Sequence, residues 1–338
     1  MPRIRYYLAA SGLFLAVFSA SAQTPPTPRW EYWRHAGEYI HDQAGAVFSL
    51  AGKVLDSEPP STRPSDSRRL ALAALDALLH DTDLDGSGEF HAFVDGRMEK
   101  IADQLGDKCS NGLEIFKLYN AGFIVRTKKL TVGFDLCAKR GDVTIVPPRL
   151  MSRMIGCCDV LFISHRDPDH ADASVIAEAA RQGVPVYGPK DIPNPLVTGI
   201  RCEDFSETEL VTRSGKVLVQ PLPGHQDDIE NNIWVVTFPG GRTVAHCGDQ
   251  YNENDLGWLS HASDLLPRKP DVLIIDCWAM ELGKTISGFS PKVVVSAHEN
   301  EMGHSIDHRE AFWLSLYKYD TLSADAVVAA WGEKYTYR

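Results

Sequence analysis

The chain has 338 residues, 44% of them hydrophobic and 23% charged, with a formal net charge of −11. Those proportions suit a globular protein with a sizeable core, built as one large domain with an attachment or as two domains. Charge excludes nucleic acid as a partner, because binding phosphate backbones takes clustered Lys and Arg and no such run occurs.

The first residues read as a leader. Arg3 and Arg5 precede the apolar stretch "YYLAASGLFLAVF", and "SASAQ" then offers Ala20 and Ala22 as the small residues of a cleavage site. That is the build of a secretory signal peptide over residues 1–22. The stretch falls short of the roughly 20 residues a membrane span requires, and no later stretch is long enough. The expectation is a secreted or periplasmic protein with no membrane contact after cleavage. Seven cysteines remain, an odd number without a CxxC pair, so at most one or two disulfides are expected.

Residues 23–110 read as a helical region. After the Pro-rich "TPPTPR", Trp33, Ala36, Ile40, Ala44, Val47, Ala51 and Val54 recur three or four apart and predict one apolar helix face. "SEPPSTRPSDS" is a loop. Leu72, Leu75 and Leu79, then Val94, Met98, Ile101 and Leu105, mark two further helices. Between them "DLDGSGEF", 83–90, resembles the first eight positions of an EF-hand loop, with Asp83, Asp85 and Ser87 as oxygen ligands. Val94 stands where the bidentate Glu is needed, so Ca²⁺ at 83–90 is disfavoured, and a turn joining two helices explains the string.

From residue 111 to 338 the character changes to short β-rich runs. "LEIFKLY", "FIVRT", "LTVGFD", "VTIVP", "DVLFIS", "VPVYG", "VLVQPL", "IWVVTF", "RTVAHCG", "DVLIID" and "VVVSAH" follow in turn, several of them continuously apolar. Such runs are expected for strands covered on both faces. "SVIAEAARQ" and "REAFWLSLYKY" read as helices between them, and the fold class is α/β.

Several of these strands end in metal-competent side chains. "DVLFIS" runs into His165, Asp167, Asp169 and His170; "VLVQPLPG" is followed by His225, "TVAHCG" by Asp249 and "VVVSA" by His298. Ligands bind beyond the carboxyl ends of strands in α/β sheets, and imidazoles with carboxylates hold Zn, Mn or Fe. Asp172 reads as a helix N-cap, His246 as a core histidine and His308 as structural.

In this order the string H-x-D-x-D-H, then G-H, then G-D, then a strand-terminal His, resembles the metallo-β-lactamase superfamily over about residues 113–300. The resemblance implies an αββα sandwich preceded by the helical region, with a dinuclear site at one edge. His165, Asp167 and His225 would hold one metal, Asp169, His170 and His298 the other, and Asp249 would bridge them. Asp167 departs from the family, which usually has His there, and the extra carboxylate lowers the charge of the loaded site by one. Two divalent ions are expected, with a single ion the alternative should Asp167 ligate poorly; Zn is favoured, with Fe and Mn as rivals because oxygen ligation suits them.

The resemblance further implies a hydrolase in which a dinuclear-metal-bound hydroxide cleaves a small ester, lactone or phosphoester. Asp169 would orient or deprotonate the attacking water, and His298 with a neighbour would steady the leaving group; His304 is the candidate neighbour, with a surface or helix-start histidine as the alternative reading. Asp249 argues against β-lactamase activity, since the true β-lactamases of the superfamily usually carry Cys or Ser there. A diiron redox protein and a non-catalytic binding protein are the alternatives. The expected partner is a small-molecule substrate, with a homodimer as a further expectation.

Overall fold

The computed structural model describes residues 32–141, 143–200, 202, 205–322 and 324–338. The expected leader lies outside them. Among the described residues no helix is long and apolar enough to cross a membrane. Two units are distinguished, residues 1–44 and Gly45–Arg338. In the first, a turn at 32–34 leads into the helix Ala36–Ser57, and the Tyr32 hydroxyl donates to Asp42 (2.5 Å).

The second unit continues with helices Asp66–Leu79 and Gly88–Gly106, started by Ser65 and Ser87, whose hydroxyls accept the N–H groups of Arg68 and Phe90. Strands β1 (Leu113–Lys117), β2 (Phe123–Arg126) and β3 (Thr131–Phe134) follow, then a small hairpin of β4 (Lys139–Arg140) and β5 (Val143–Thr144). Helix Pro148–Cys157, β6 (Val160–Phe162), helix Ala173–Arg181, β7 (Val186–Gly188) and β8 (Thr198–Gly199) complete the first half. The second half runs through β9 (Thr208–Thr212), β10 (Gly215–Gln226), β11 (Ile229–Thr237), β12 (Thr243–His246), β13 (Val272–Asp276), helix Leu282–Phe289, β14 (Val293–Ala297), helix Phe312–Thr321, β15 (Ala326–Val327) and β16 (Glu333–Tyr337).

Among the described residues these strands form two seven-stranded sheets, ordered β16-β1-β2-β3-β6-β7-β8 and β15-β14-β13-β12-β11-β10-β9. The alternation of side chains along a strand sorts the apolar residues into two cores. Leu113, Ile115, Val132, Phe134, Val272 and Ile274 meet between the sheets, whereas Phe116, Ile124, Leu273 and Ile275 face outward onto helices. Both faces of each sheet are covered, which is why "VLII" and "VVV" carry no polar alternation.

Helix Asp66–Leu79 is tied to the sandwich by charge as well as by leucines. Arg68, 1% exposed, forms a fork with Glu333 at the start of β16 (Nη1 to Oε1 2.9 Å, Nη2 to Oε2 2.6 Å) and also donates to the carbonyls of Glu58 and Val328. At the other end of the same helix, the buried Asp76 accepts from Asn300 Nδ2 (2.9 Å) and from the N–H groups of Phe312 (2.8 Å) and Trp313 (2.9 Å). It thereby caps the helix Phe312–Thr321 from a distance.

Burial pushes the Asp76 carboxyl up from 3.8 to about 6 despite those hydrogen bonds. The folded chain therefore holds this proton more tightly than the unfolded chain. The associated stability is fully present below pH 3.8 and is lost as pH rises through about 6. A shift of this size corresponds to about 3 kcal/mol. The stability difference between wild type and Asp76→Asn is expected to move by that order across this window, in favour of the wild type at the acid end. Urea unfolding of both at a series of pH values measures it, and a pH-independent difference would refute the assignment.

Two local expectations shift, and one strand was not expected. The buried face of helix Ala36–Ser57 beyond Gly45 runs through Phe48, Ala51 and Leu55, with Val47 and Val54 half-buried. The larger Phe and Leu take the inward positions because they fill more of the core. "VTIVP" is a strand only at Val143–Thr144, since Pro147 and Pro148 start a helix. The polar "EKYTY" forms β16, paired antiparallel with β1 from Leu113↔Tyr337 to Lys117↔Glu333. Cys109, Cys137, Cys157, Cys158, Cys247 and Cys277 form no disulfide among the described residues.

Candidate metal centre

The parallel neighbours β3–β6 in one sheet, and β12, β13 and β14 in the other, end on the same side of the sandwich. β6 gives way to Ser164, whose N–H and Oγ are both held by the buried Asp135 (2.7 and 2.6 Å). The turn that follows closes on Asp167, whose carbonyl accepts the N–H groups of His170 (2.9 Å) and Ala171 (2.7 Å). It ends at Asp172, which caps the helix Ala173–Arg181 through the N–H groups of Ser174 and Val175, as expected.

Two glycines make room for further candidate ligands. A Cβ at Gly224, before His225, would collide with Gln250 Oε1, and one at Gly248, before Asp249, would collide with Ser164 and Asn231. Gly248 is also in the left-handed region (φ +54°). The G-H and G-D pairs are thus products of close backbone approach. His298 itself adopts φ +65°, and Asn300 φ +57°. That turn is clamped by three different elements: Glu299 pairs with the buried Lys117 of β1, Asn300 donates to Asp76, and Glu301 meets Arg140 of β4 (2.7 Å).

The structure packs Asp169, His170, Asp249 and His298 into one buried group whose ligand atoms all lie within 4.8 Å of one another. His170 Nε2 is 3.1 Å from Asp169 Oδ2 and 3.2 Å from Asp249 Oδ1. His298 Nε2 is 3.5 Å from Asp169 Oδ2 and 3.4 Å from Asp249 Oδ2. His165 joins from the side, its Nε2 3.9 Å from Asp249 Oδ2 and 3.6 Å from Asp167 Oδ2. Asp167 stands at the rim, with its side chain 36% exposed. His225 stands apart, 40% exposed, and its ring contacts Asp255 rather than the other six.

These residues fit a divalent cation. The Nε2 atoms of His165 and His170 and Oδ1 of Asp249 are buried without a well-directed hydrogen bond, although opposite charges lie 3.1–3.2 Å from His170 Nε2, a geometry suited to sharing an ion. The opposite ring nitrogens are anchored: His170 Nδ1–H donates to Asp135 (2.9 Å) and His225 Nδ1–H donates to Asp255 (3.1 Å to each oxygen). A carboxylate on Nδ1 fixes the tautomer that leaves Nε2 free to ligate. Asp255 is in turn held by Gln250 Nε2 (2.8 Å).

Electrostatics point the same way. Burial works to raise the carboxyls of Asp169 and Asp249, but the facing His170 and His298 rings outweigh it and hold both well below the usual range. Burial likewise opposes a charge on His170 and His298, yet Asp249 and Asp169 push both rings well above the ordinary imidazole range. The carboxylates demand positive charge, which a divalent ion supplies as well as imidazolium does.

Asn120, Asp135, Asp255 and Glu301 were not anticipated. Asn120 donates from Nδ2 to Asp169 Oδ2 (2.9 Å), and Glu301 Oε2 lies 3.7 Å from His298 Nε2. Burial pushes the Glu301 carboxyl up to about 7. Asp135 ends the strand run "LTVGFD", so the strand-terminal carboxylate that marked the candidate ligands marked it too; Asn120 sits in a turn and Asp255 ends the short 3₁₀ helix Glu253–Asp255, neither with such a signal. His304 is outside the packed group, its Nε2 3.4 Å from Glu301 Oε2. His246 is a core histidine as expected, donating from Nε2 to the Ala121 carbonyl (3.0 Å) and lying parallel to Phe134. In the 83–90 loop, Asp85 pairs with Arg309 (2.5 and 2.9 Å) and Ser87 caps the next helix, so the string works as a helix-joining turn.

Removing the Asp255 carboxylate is expected to weaken metal affinity about 10–100-fold, the usual cost of losing such a partner, while the fold persists. Competition with a chromophoric chelator, comparing Asp255→Ala with wild type, measures it; equal affinities would mean that His225 does not ligate.

No family model matches the sequence, and no curated protein matches it. Among solved structures, the chain is similar to Igni18, a metallo hydrolase from the hyperthermophilic archaeon Ignicoccus hospitalis KIN4/I. Identity is 15% and the TM-score 0.52, covering 68% of this chain and 99% of that one. It is also similar to a protein from Veillonella parvula DSM 2008 described as a possible metal-dependent hydrolase, at 14% identity and a TM-score of 0.53, covering 67% and 100%. The fold is the expected αββα sandwich of the metallo-β-lactamase type.

Proposed function

We propose that the protein is an exported metal-dependent hydrolase that cleaves a small ester, lactone or phosphoester. The observation that carries this reading is the buried Asp169–His170–Asp249–His298 group, with the orphan Nε2 of His165 beside it. Asp249 is suited to serve two ions, since Oδ1 faces His170 while Oδ2 faces His298 and His165. In this reading His165, Asp167 and His225 hold one ion and Asp169, His170 and His298 the other. Zn is favoured, with Fe and Mn as rivals.

Two such ions, when bound, polarise a carbonyl or phosphoryl oxygen and acidify an attacking water. Asp169 would hold that water's proton, its carboxylate plane fixed by the Asn120 hydrogen bond. Burial and the Arg140 cation hold the His304 ring below the ordinary imidazole range. It is therefore neutral at pH 7 and can donate one N–H to a leaving group. Export is supported by the leader pattern. It is compatible with the thiols of Cys137, Cys158, Cys247 and Cys277, which burial pushes up, away from the reactive thiolate.

The test is a metal-replete screen of p-nitrophenyl phosphodiesters, lactones, thioesters and a chromogenic cephalosporin, with elemental analysis of the same sample. Close to two ions per chain and chelator-sensitive turnover of one of the first three classes are expected. Turnover of the cephalosporin alone, or an active enzyme holding one ion, would refute the reading.

A further inference from the structure

Two partly exposed aromatic rings, Trp278 and Tyr251, adjoin the candidate metal centre. Trp278 meets His298 edge to face, with ring centroids 5.5 Å apart at 89°, and Tyr251 meets Trp278 at 5.9 Å and 55°. The three rings thus form a continuous line from a proposed metal ligand outward. Trp278 is half-buried and Tyr251 is 39% exposed. Within the described residues, neither the indole N–H nor the phenol hydroxyl makes a hydrogen bond.

Both rings are carried on fixed backbone. Just beyond β13, the Trp278 N–H donates to the buried Asp276 (2.9 Å). Tyr251 follows Asp249 by two residues; its N–H donates to the His225 carbonyl and its own carbonyl accepts from Asp227, each at 2.9 Å. The loop of Trp278 is joined to the loop of Tyr251 where the Met280 N–H donates to the Gln250 carbonyl (3.3 Å). The segment that sets Asp249 and His225 therefore also sets the aromatic pair. Large flat side chains held rigid, partly wet and beside a reactive centre are suited to stacking on a ligand, because little conformational freedom is lost when they do so.

We infer that Tyr251 and Trp278 form a stacking wall, and that the site takes esters, lactones or phosphoesters whose reacting acyl or phosphoryl group carries a flat apolar ring. The inference rests on the hydrolase reading for what happens to the substrate, but not for how its ring is held.

The test is equilibrium binding, by calorimetry on the metal-loaded protein, of benzoate, cyclohexanecarboxylate and acetate. Benzoate is expected to bind about tenfold more tightly than acetate, with the equally large but puckered cyclohexanecarboxylate between them. Quenching of tryptophan fluorescence is expected with benzoate alone. Tyr251→Ala is expected to remove most of the benzoate advantage while leaving acetate unchanged, and Tyr251→Phe to keep it. Benzoate binding no better than acetate in the wild type, or Tyr251→Ala weakening both alike, overturns the wall. A benzoate preference in a protein that hydrolyses nothing in the screen would leave the wall standing and remove the hydrolase reading.

Discussion

Asp249→Asn is expected to lower kcat/KM at least about 1000-fold, or ~4 kcal/mol of transition-state stabilisation, and to reduce the bound metal below the wild-type content. The argument is one of charge and position. Asp249 is 3% exposed, lies against the Nε2 atoms of His170, His298 and His165, and is held ionised by the first two. Asparagine keeps the volume but removes the negative charge that two divalent ions would share. It also offers an NH₂ group where an acceptor is needed. Elemental analysis and steady-state kinetics on the purified variant, with circular dichroism to establish folding, measure the outcome. A variant with full metal content and more than about a tenth of wild-type activity, less than ~1.4 kcal/mol lost, would remove Asp249 from the centre.

The second large effect concerns stability. Arg68→Ala is expected to destabilise the fold by about 3–5 kcal/mol, the range for breaking a buried ion pair from one side. Glu333 is left without its fork at 2% side-chain exposure, and the carbonyls of Glu58 and Val328 lose a donor. Arg97 lies 3.8 Å from the other Glu333 oxygen and recovers only part of the loss. Replacing both partners with apolar residues, Arg68→Met with Glu333→Leu, is expected to cost less than the single change, because no charge remains buried. Denaturant unfolding of the three proteins gives the comparison. A single variant within 1 kcal/mol of wild type would mean that water reaches Glu333, since an exposed ion pair contributes only about 0–1 kcal/mol.

The link between these two experiments lies in the turn after β14. His298, Glu299, Asn300 and Glu301 are all buried, and each is engaged by a different part of the chain: the metal centre, β1, the helix Asp66–Leu79 and the β4 hairpin. The helical segment is therefore a support for the turn that carries His298 as well as a cover for one face of a sheet. His298 in a left-handed backbone conformation needs such support, since an isolated chain disfavours it.

Much of the fold was legible in the linear chain because its signals are local. Runs such as "DVLIID" and "VVVSA" specify strands buried on both faces, a preference each segment carries by itself. The polar residue that ends each run is equally local, and this is why His165, Asp167, Asp169, His170, His225, Asp249 and His298 could be named as candidates before their geometry was known. Asp172 as an N-cap and His246 as a core residue follow from the same short-range logic.

What only the tertiary structure decided are the partners met across long separations. Asp135 beneath His170, Asp255 behind His225, Asn120 on Asp169 and Asp76 on the turn after His298 come from residues 30 to 224 positions apart in the chain. The same holds for β16, whose polar sequence becomes a strand because the open edge of β1 supplies its hydrogen bonds. A hydrogen bond or ion pair is a property of two groups and the distance between them. Composition and periodicity describe one segment at a time, so they indicate which side chains reach the end of the sandwich but not which of them meet there.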